Sequence, residues 1–106
     1  MSSTTIKPYF ELIAQSTPKR RKKLLKVINR GELEGLCEIC LNILKGNINL
    51  NTEQINALKK NKKLIRQLSN RQISQTQKKD IINQNGGFIA SLASIVLPML
   101  ASLFTK

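Results

Sequence analysis

Apolar residues between Leu33 and Leu44 recur with the period of an α-helix. They are spaced by three, one, three, one and three residues and are Leu33, Leu36, Cys37, Cys40, Leu41 and Leu44. This spacing places all of them on one side of a helix. Lys45 and Gly46 follow and predict its C-terminal end. We therefore expect this segment to be the core helix of a small domain.

The rest of the middle of the chain also carries helix signals. Thr17 and Pro18 predict the start of a helix over 19–29, which Arg30 and Gly31 would end. Thr52 predicts the start of a helix that continues to about Leu68. Ser74 predicts the N-cap of a short helix. Together these patterns predict an all-α protein, a small basic bundle of about four helices followed by a Gly-Gly hinge and an apolar C-terminal helix.

Charge divides the sequence into three parts. The net charge is +12, and residues 19–79 carry all of it, with 16 basic residues against four glutamates. Both flanking parts are neutral. The predicted organisation is an N-terminal segment over 1–18, a basic helical domain over 19–83, a hinge over 84–87 and an apolar C-terminal segment over 88–106. Residues 1–18 do not resemble a signal peptide, so we do not expect secretion.

Three clusters of cations lie within the basic domain. So high a local charge favours a polyanionic partner, either duplex nucleic acid or an anionic membrane. No aromatic residue lies among the clusters, which predicts contact with phosphates and not base stacking. The candidate nucleic-acid-binding residues are Lys19, Arg20, Arg21, Lys22, Lys23, Lys26, Lys59, Lys60, Lys63, Arg66, Arg71, Lys78 and Lys79.

Side chains suited to catalysis are scarce. The chain has no His, one Tyr and six Asp and Glu residues, which removes most general bases and metal ligands. We therefore predict a non-enzymatic protein with no cofactor and no metal. Cys37 and Cys40 form a C-x-x-C pair, but no further Cys or His completes a zinc site. The pair is predicted to be two reduced core thiols, which favours a reducing compartment.

An uncharged apolar segment of 17 residues, FIASLASIVLPMLASLF, ends the chain at 88–104. A helix of this length reaches about 26 Å, slightly less than the roughly 30 Å of a bilayer core. It could pack on the basic domain, contact a membrane, self-associate, or fit a partner groove. Its candidate contact residues are Phe88, Ile89, Leu92, Ile95, Val96, Leu97, Leu100, Leu103 and Phe104. Gly86 and Gly87 precede the segment and predict the hinge.

The order of these features resembles that of a known family. KRRKKLLKVINRGELEGLCEICLNILKGNINL, a Lys-rich helix, and QNGGF before an apolar end together resemble small basic proteins of Polinton and adintovirus elements. The resemblance covers residues 19–104, and the arrangement is similar to adenoviral minor core protein precursors. It implies a virion core component in the virion or the host nucleus. It also implies that Gly86 and Gly87 are a candidate cleavage site, and that capsid protein is a candidate partner.

Three functions remain open from the sequence. The first is a DNA-packaging protein that binds phosphates through its basic helix faces while its C-terminal helix engages membrane or capsid. The second is a membrane-active or tail-anchored protein whose basic helices meet anionic lipid. The third is a protein-interaction adaptor that uses the apolar segment.

Overall fold

The architecture is all-α, as the sequence predicts. The computed structural model describes residues 3–99, with side chains from residue 6 onward. The described range contains seven α-helices, more than the expected bundle of about four followed by one apolar C-terminal helix. They are α1 (Ser3–Gln15), α2 (Pro18–Lys26), α3 (Arg30–Leu44), α4 (Thr52–Lys59), α5 (Lys62–Ser69), α6 (Gln75–Gln84) and α7 (Gly86–Val96), and a 3-10 turn at Leu97–Met99 follows.

The N-terminal segment belongs to the core, so the predicted boundary at residue 18 is wrong. Ile6, Phe10 and Ile13 of α1 are fully buried, and α1 packs against α3 and α7. Their spacing of four and three residues places them on one helix face. Pro8 lies inside α1, where it removes one backbone hydrogen bond. The distribution of charge does not predict this packing, because the absence of net charge in residues 1–18 says nothing about which of their apolar side chains are buried.

The core helix α3 is confirmed, although it begins earlier than expected. Asn29 and Glu32 form a reciprocal capping box, so Arg30 and Gly31 open α3 and do not end α2. Gly46, at φ 73°, follows its C-terminal end as predicted, a backbone conformation that glycine adopts without strain. The helix approaches α1 closely at Gly35, where an added Cβ would lie 3.1 Å from Ile6.

The single helix expected over 52–68 is two helices. The helical conformation is interrupted at Lys60 and Asn61, between α4 and α5. The Asn61 amide Nδ2 donates to the Ala57 carbonyl at 3.5 Å, a side-chain bond that competes with regular helix. Counting about 100° per residue from Ile55 along one unbroken helix places Lys59, Lys60, Lys63 and Arg66 on one basic face, with Lys62 at its edge. This assignment does not carry across the break.

The described part of the apolar segment packs within the fold, so the predicted division at 84–87 is also wrong. Helix α7 buries Ile89, Leu92 and Val96 and contacts α1 and α2. Residues 84–87 join two packed helices: Asn85 separates α6 from α7, and Gly87 lies in the first turn of α7. Burial of apolar side chains is favourable when another apolar surface covers them. The apolar face of α1, which the sequence analysis did not predict, covers α7.

Candidate nucleic-acid interface

Helix α2 presents cations outward because its apolar residues face inward. Its start is fixed as predicted, with Thr17 Oγ1 accepting a hydrogen bond from the Arg20 backbone N–H at 3.3 Å. Leu25 is buried, and the Tyr9 hydroxyl donates to the Leu24 carbonyl at 3.0 Å. These contacts fix the rotation of α2 about its axis. They leave Lys19, Arg20, Lys22, Lys23 and Lys26 exposed, with Arg21 half-buried.

A second group of cations surrounds the α4–α5 junction. Ile65 and Leu68 are buried on the inner face of α5, which packs extensively on α3. The outer side exposes Lys59, Lys60, Lys62, Lys63 and Arg66. Lys62 was not among the predicted site residues, because counting through an unbroken helix placed it at the edge of the basic face. Asn61, between two lysine pairs, was the available signal for the break.

The third predicted cluster is divided. Arg71 and Lys79 are exposed, whereas Lys78 is only 7% exposed. The Lys78 ammonium lies close enough to the Cys37 thiol to lower the pKa of that thiol, so Lys78 lies against α3 and is not available to phosphate. The assignment of Lys78 as a phosphate-binding residue is therefore wrong. Successive residues of a helix are about 100° apart around its axis, so Lys78 faces the core while its neighbour Lys79 faces solvent.

The exposed cations have few anionic neighbours in the protein. In residues 3–99 the one ion pair joins Arg30 and Glu34 at 2.9 Å on the α3 surface. Glu32 is committed to the capping box of α3. The cations of α2 and of the α4–α5 junction, as far as the structure describes them, are thus not compensated by ion pairs within the fold. Their mutual repulsion is offset only by solvent and by whatever anion the surface meets.

Two basic helices carry charge that opposes their own dipoles. The first turns of α2 and α5 contain cations and no acidic residue, although the N-terminal end of a helix dipole is positive. By contrast, α3 and α4 have Glu32 and Glu53 in their first turns, as the dipole favours. Helix stability therefore does not explain the cations at the starts of α2 and α5. Such an arrangement suits a surface that meets an external anion.

Most of the predicted membrane or partner contacts lie inside the protein. Ile89, Leu92 and Val96 are at most 1% exposed, so they contact the other helices and not an external partner. Phe88, Ile95 and Leu97 are half-buried and pack against the same core. Leu100, Leu103 and Phe104 lie outside the described residues. For residues 88–99 the packed alternative is therefore the correct one.

The two glycines before α7 have different environments. An added Cβ at Gly86 would lie 3.3 Å from the Leu25 side chain, whereas one at Gly87 would meet nothing within 4 Å. Gly86 thus permits α7 to pack closely on α2. Both residues lie in the first turn of a helix and not in the predicted hinge, but only Gly86 has a packing position.

The cysteines are free thiols, one in the core and one at its edge. Cys40 is fully buried and Cys37 is half-buried. Burial raises the pKa of both thiols, and the nearby Lys78 ammonium lowers the pKa of Cys37 and Cys40 by a smaller amount. Within the described range no group of three or more His, Cys, Asp or Glu side chains could hold a metal ion.

No helix among the described residues is by itself long and apolar enough to cross a membrane; α6 and α7 with the following turn reach that length and composition only as a pair bent by 94°. No family model matches the chain, and neither a curated protein nor a solved structure is similar to it.

Proposed function

We propose that this protein is a non-enzymatic nucleic-acid-binding protein that contacts the phosphates of duplex DNA through α2 and the α4–α5 junction. The observation that supports this proposal is the set of exposed cations on these elements, none of them in a described ion pair. Lysine and arginine on such a surface displace the counterions condensed on DNA, and this release drives association.

The resemblance to virion core proteins gives this binding a biological setting. A core protein coats or condenses DNA of many sequences, so phosphate contact alone is sufficient for it. The described fold measures 30 by 26 by 26 Å, and a 30 Å face spans about nine base pairs at 3.4 Å each. One molecule would therefore occupy about one turn of duplex.

The competing proposal is a membrane-active protein, and the burial of α7 weighs against it. For α7 to enter a bilayer, Ile89, Leu92 and Val96 would have to leave the core. Fully burying one such side chain stabilises a fold by about 1.5–3 kcal/mol. Insertion would therefore have to offset several kcal/mol of lost packing, a cost that DNA binding does not carry.

The experiment compares the two polyanions directly. Binding of the full chain is measured by fluorescence anisotropy to a mixed-sequence duplex of about 20 base pairs, and by co-sedimentation to vesicles of phosphatidylserine and phosphatidylcholine. We expect DNA binding that weakens steeply between 50 and 200 mM salt, because losses of about 10³–10⁵ in affinity accompany 6–10 phosphate contacts. Absence of DNA binding together with co-sedimentation of the protein with the vesicles would instead support the membrane-active alternative.

A further inference from the structure

We propose that α6 is the helix that enters the major groove of duplex DNA and contacts base edges, while the neighbouring helices α2 and α5 hold the phosphates. This inference rests on the proposed function and adds sequence preference to it. It follows from the rotation of α6, from the chemistry of its exposed residues and from the helices that flank it.

Contacts with the core fix how α6 is rotated. Ile82 is fully buried, and Lys78, which is only 7% exposed, is turned inward beside Cys37. The helix also begins at a defined residue, because Ser74 and Gln77 form a reciprocal capping box. Residues on the far side of the helix therefore face solvent in one orientation.

The exposed face of α6 differs in chemistry from the other basic helices. The exposed residues of α6 are Gln75, Thr76, Gln77, Lys79, Asp80 and Gln84. Of these, we call Gln75, Thr76, Lys79 and Asp80 the α6 outer face. Where α2 exposes almost only cations, this face combines an amide, a hydroxyl, a carboxylate and one ammonium group. Amides bond to adenine, carboxylates accept from cytosine, and hydroxyls contact several bases, so the set matches base edges better than phosphates. Asp80 in particular would repel a phosphate.

The flanking elements supply charge around the α6 outer face. Helix α6 packs against both α2 and α5, which carry exposed cations. On the α5 flank, a shallow groove is lined by Gln67, Ile73, Gln77, Asp80, Ile81 and Gln84. A duplex that met α6 would thus find cations on the two adjacent helices and few repulsive carboxylates. This charge complementarity identifies DNA as the occupant of the face.

The dimensions and connection also fit a groove-binding helix. The 10 residues of α6 extend about 15 Å, and the major groove is about 12 Å wide. The turn between α5 and α6 contains Arg71 and is short, since α5 ends at Ser69 and α6 begins at Gln75. Two helices joined by a short turn, with the second reading bases through its N-terminal residues, is a common arrangement in DNA-binding proteins.

The experiment selects preferred sequences from a random duplex library with the full-length protein. The test variant is Gln75→Ala/Thr76→Ala, and the matched control is Asn56→Ala, which removes an exposed amide from α4. Circular dichroism and thermal melting verify that each variant folds. Affinities for the selected duplex and for a scrambled duplex are then measured across a salt series.

We expect the natural chain to prefer the selected duplex by roughly 5- to 150-fold, the range that corresponds to one good base contact. The test variant should lose that preference yet keep the salt dependence, since it removes no charge, and the control should retain both. If the natural chain binds DNA with steep salt dependence but enriches no sequence, or if the variant keeps the preference, this inference fails and the proposed function stands. If no DNA binding is detected, both fail.

Discussion

Lys78 and Lys79 are adjacent in the sequence and have opposite environments. Lys79 is exposed, whereas Lys78 is buried beside Cys37. From residue type alone, both belong to the same basic cluster. The distinction depends on the rotation of α6, which the core contacts of Ile82 determine. The role of a single cation in this chain can therefore be assigned only when the packing of its helix is known.

Exchanging each of these lysines for methionine should separate the two roles. Lys79→Met should reduce the slope of log affinity against log salt by up to about 0.9, because the exposed Lys79 ammonium lies on the face proposed to meet the duplex. Lys78→Met should leave that slope unchanged, and because methionine has a similar shape without the buried charge, stability should be retained or increased. Anisotropy with a duplex and urea unfolding measure the two quantities. Equal slopes for both variants would contradict this assignment.

The buried thiol of Cys40 predicts a fall in stability at alkaline pH. Burial raises its folded pKa, so in the folded state the thiol stays protonated where the unfolded thiol, with a pKa of about 8.5, has lost its proton. The unfolded state then binds fewer protons, and stability is complete below about pH 8.5 and decreases as pH rises above it. The decrease is at most about 1.4 kcal/mol per pH unit for each such thiol.

Urea unfolding under reducing conditions at pH 7.5 and 9.5 measures this effect. Cys40→Ala should lose less stability between the two pH values than the natural chain does, because the shifted group is gone. An identical pH dependence in both proteins would show that Cys40 titrates normally in the fold.

At the scale of elements, the predictions succeeded where a cap and an apolar period agreed. The start of α2 at Thr17 and Pro18 and the capping role of Ser74 are confirmed. The inner face of α3 is confirmed in part, because Leu33, Leu36 and Cys40 are buried, whereas Leu44 is exposed and Ile39, outside the predicted stripe, is buried. The failures have separate physical causes. A capping box at Asn29 starts α3 where a turn at Gly31 was expected. Where α4 ends, the Asn61 side chain donates a hydrogen bond to the Ala57 carbonyl. Helix α1 was not predicted, because its apolar period is short and its segment was defined by net charge alone.

The largest correction concerns α7, whose apolar face is covered by α1. A segment without charge satisfies the composition of a core helix and of a membrane helix equally well. Only the presence of a complementary apolar surface separates the two, and that surface is formed by residues about 80 positions earlier in the chain. Long-range pairing of this kind cannot be read from local periodicity.

Leu92→Ala tests whether α7 belongs to the core in solution. Leu92 is fully buried, so its truncation should lower the free energy of unfolding by about 2–5 kcal/mol. Ser91→Ala, a change at the exposed neighbour, should alter stability by less than about 0.5 kcal/mol. Chemical denaturation measures both. A negligible effect at Leu92 would indicate that α7 is detached from the helical domain.

At the scale of the whole molecule, a continuous apolar core supports a surface with large excess positive charge. Helices α1, α3 and α7 supply much of that core, and α2, α4, α5 and α6 carry most of the exposed cations. A small domain gains only modest stability from burial, so retaining a net charge of +12 costs stability that a neutral surface would preserve. An anionic partner would neutralise this surface, which is the physical basis of the proposed function.

The sequence was sufficient to locate most of that charge, and insufficient to say which elements would present it together. The basic block over 19–79 was evident from composition. Its division between α2 on one side of α6 and α5 on another depends on tertiary contacts. The candidate interface is therefore predictable as a list of residues, whereas its shape is not.

The central claim is that α2 neutralises DNA phosphates, and the salt dependence of two charge-matched variants tests it most directly. Lys22→Gln/Lys23→Gln removes two exposed cations from α2, and Lys7→Gln/Lys45→Gln removes two exposed lysines elsewhere. On duplex DNA the first variant should lower the log–log salt slope by about 1.8, at about 0.9 per phosphate contact, and the second should leave it nearly unchanged. Equal slopes in the two variants, or a slope near zero in the natural chain, would contradict the account.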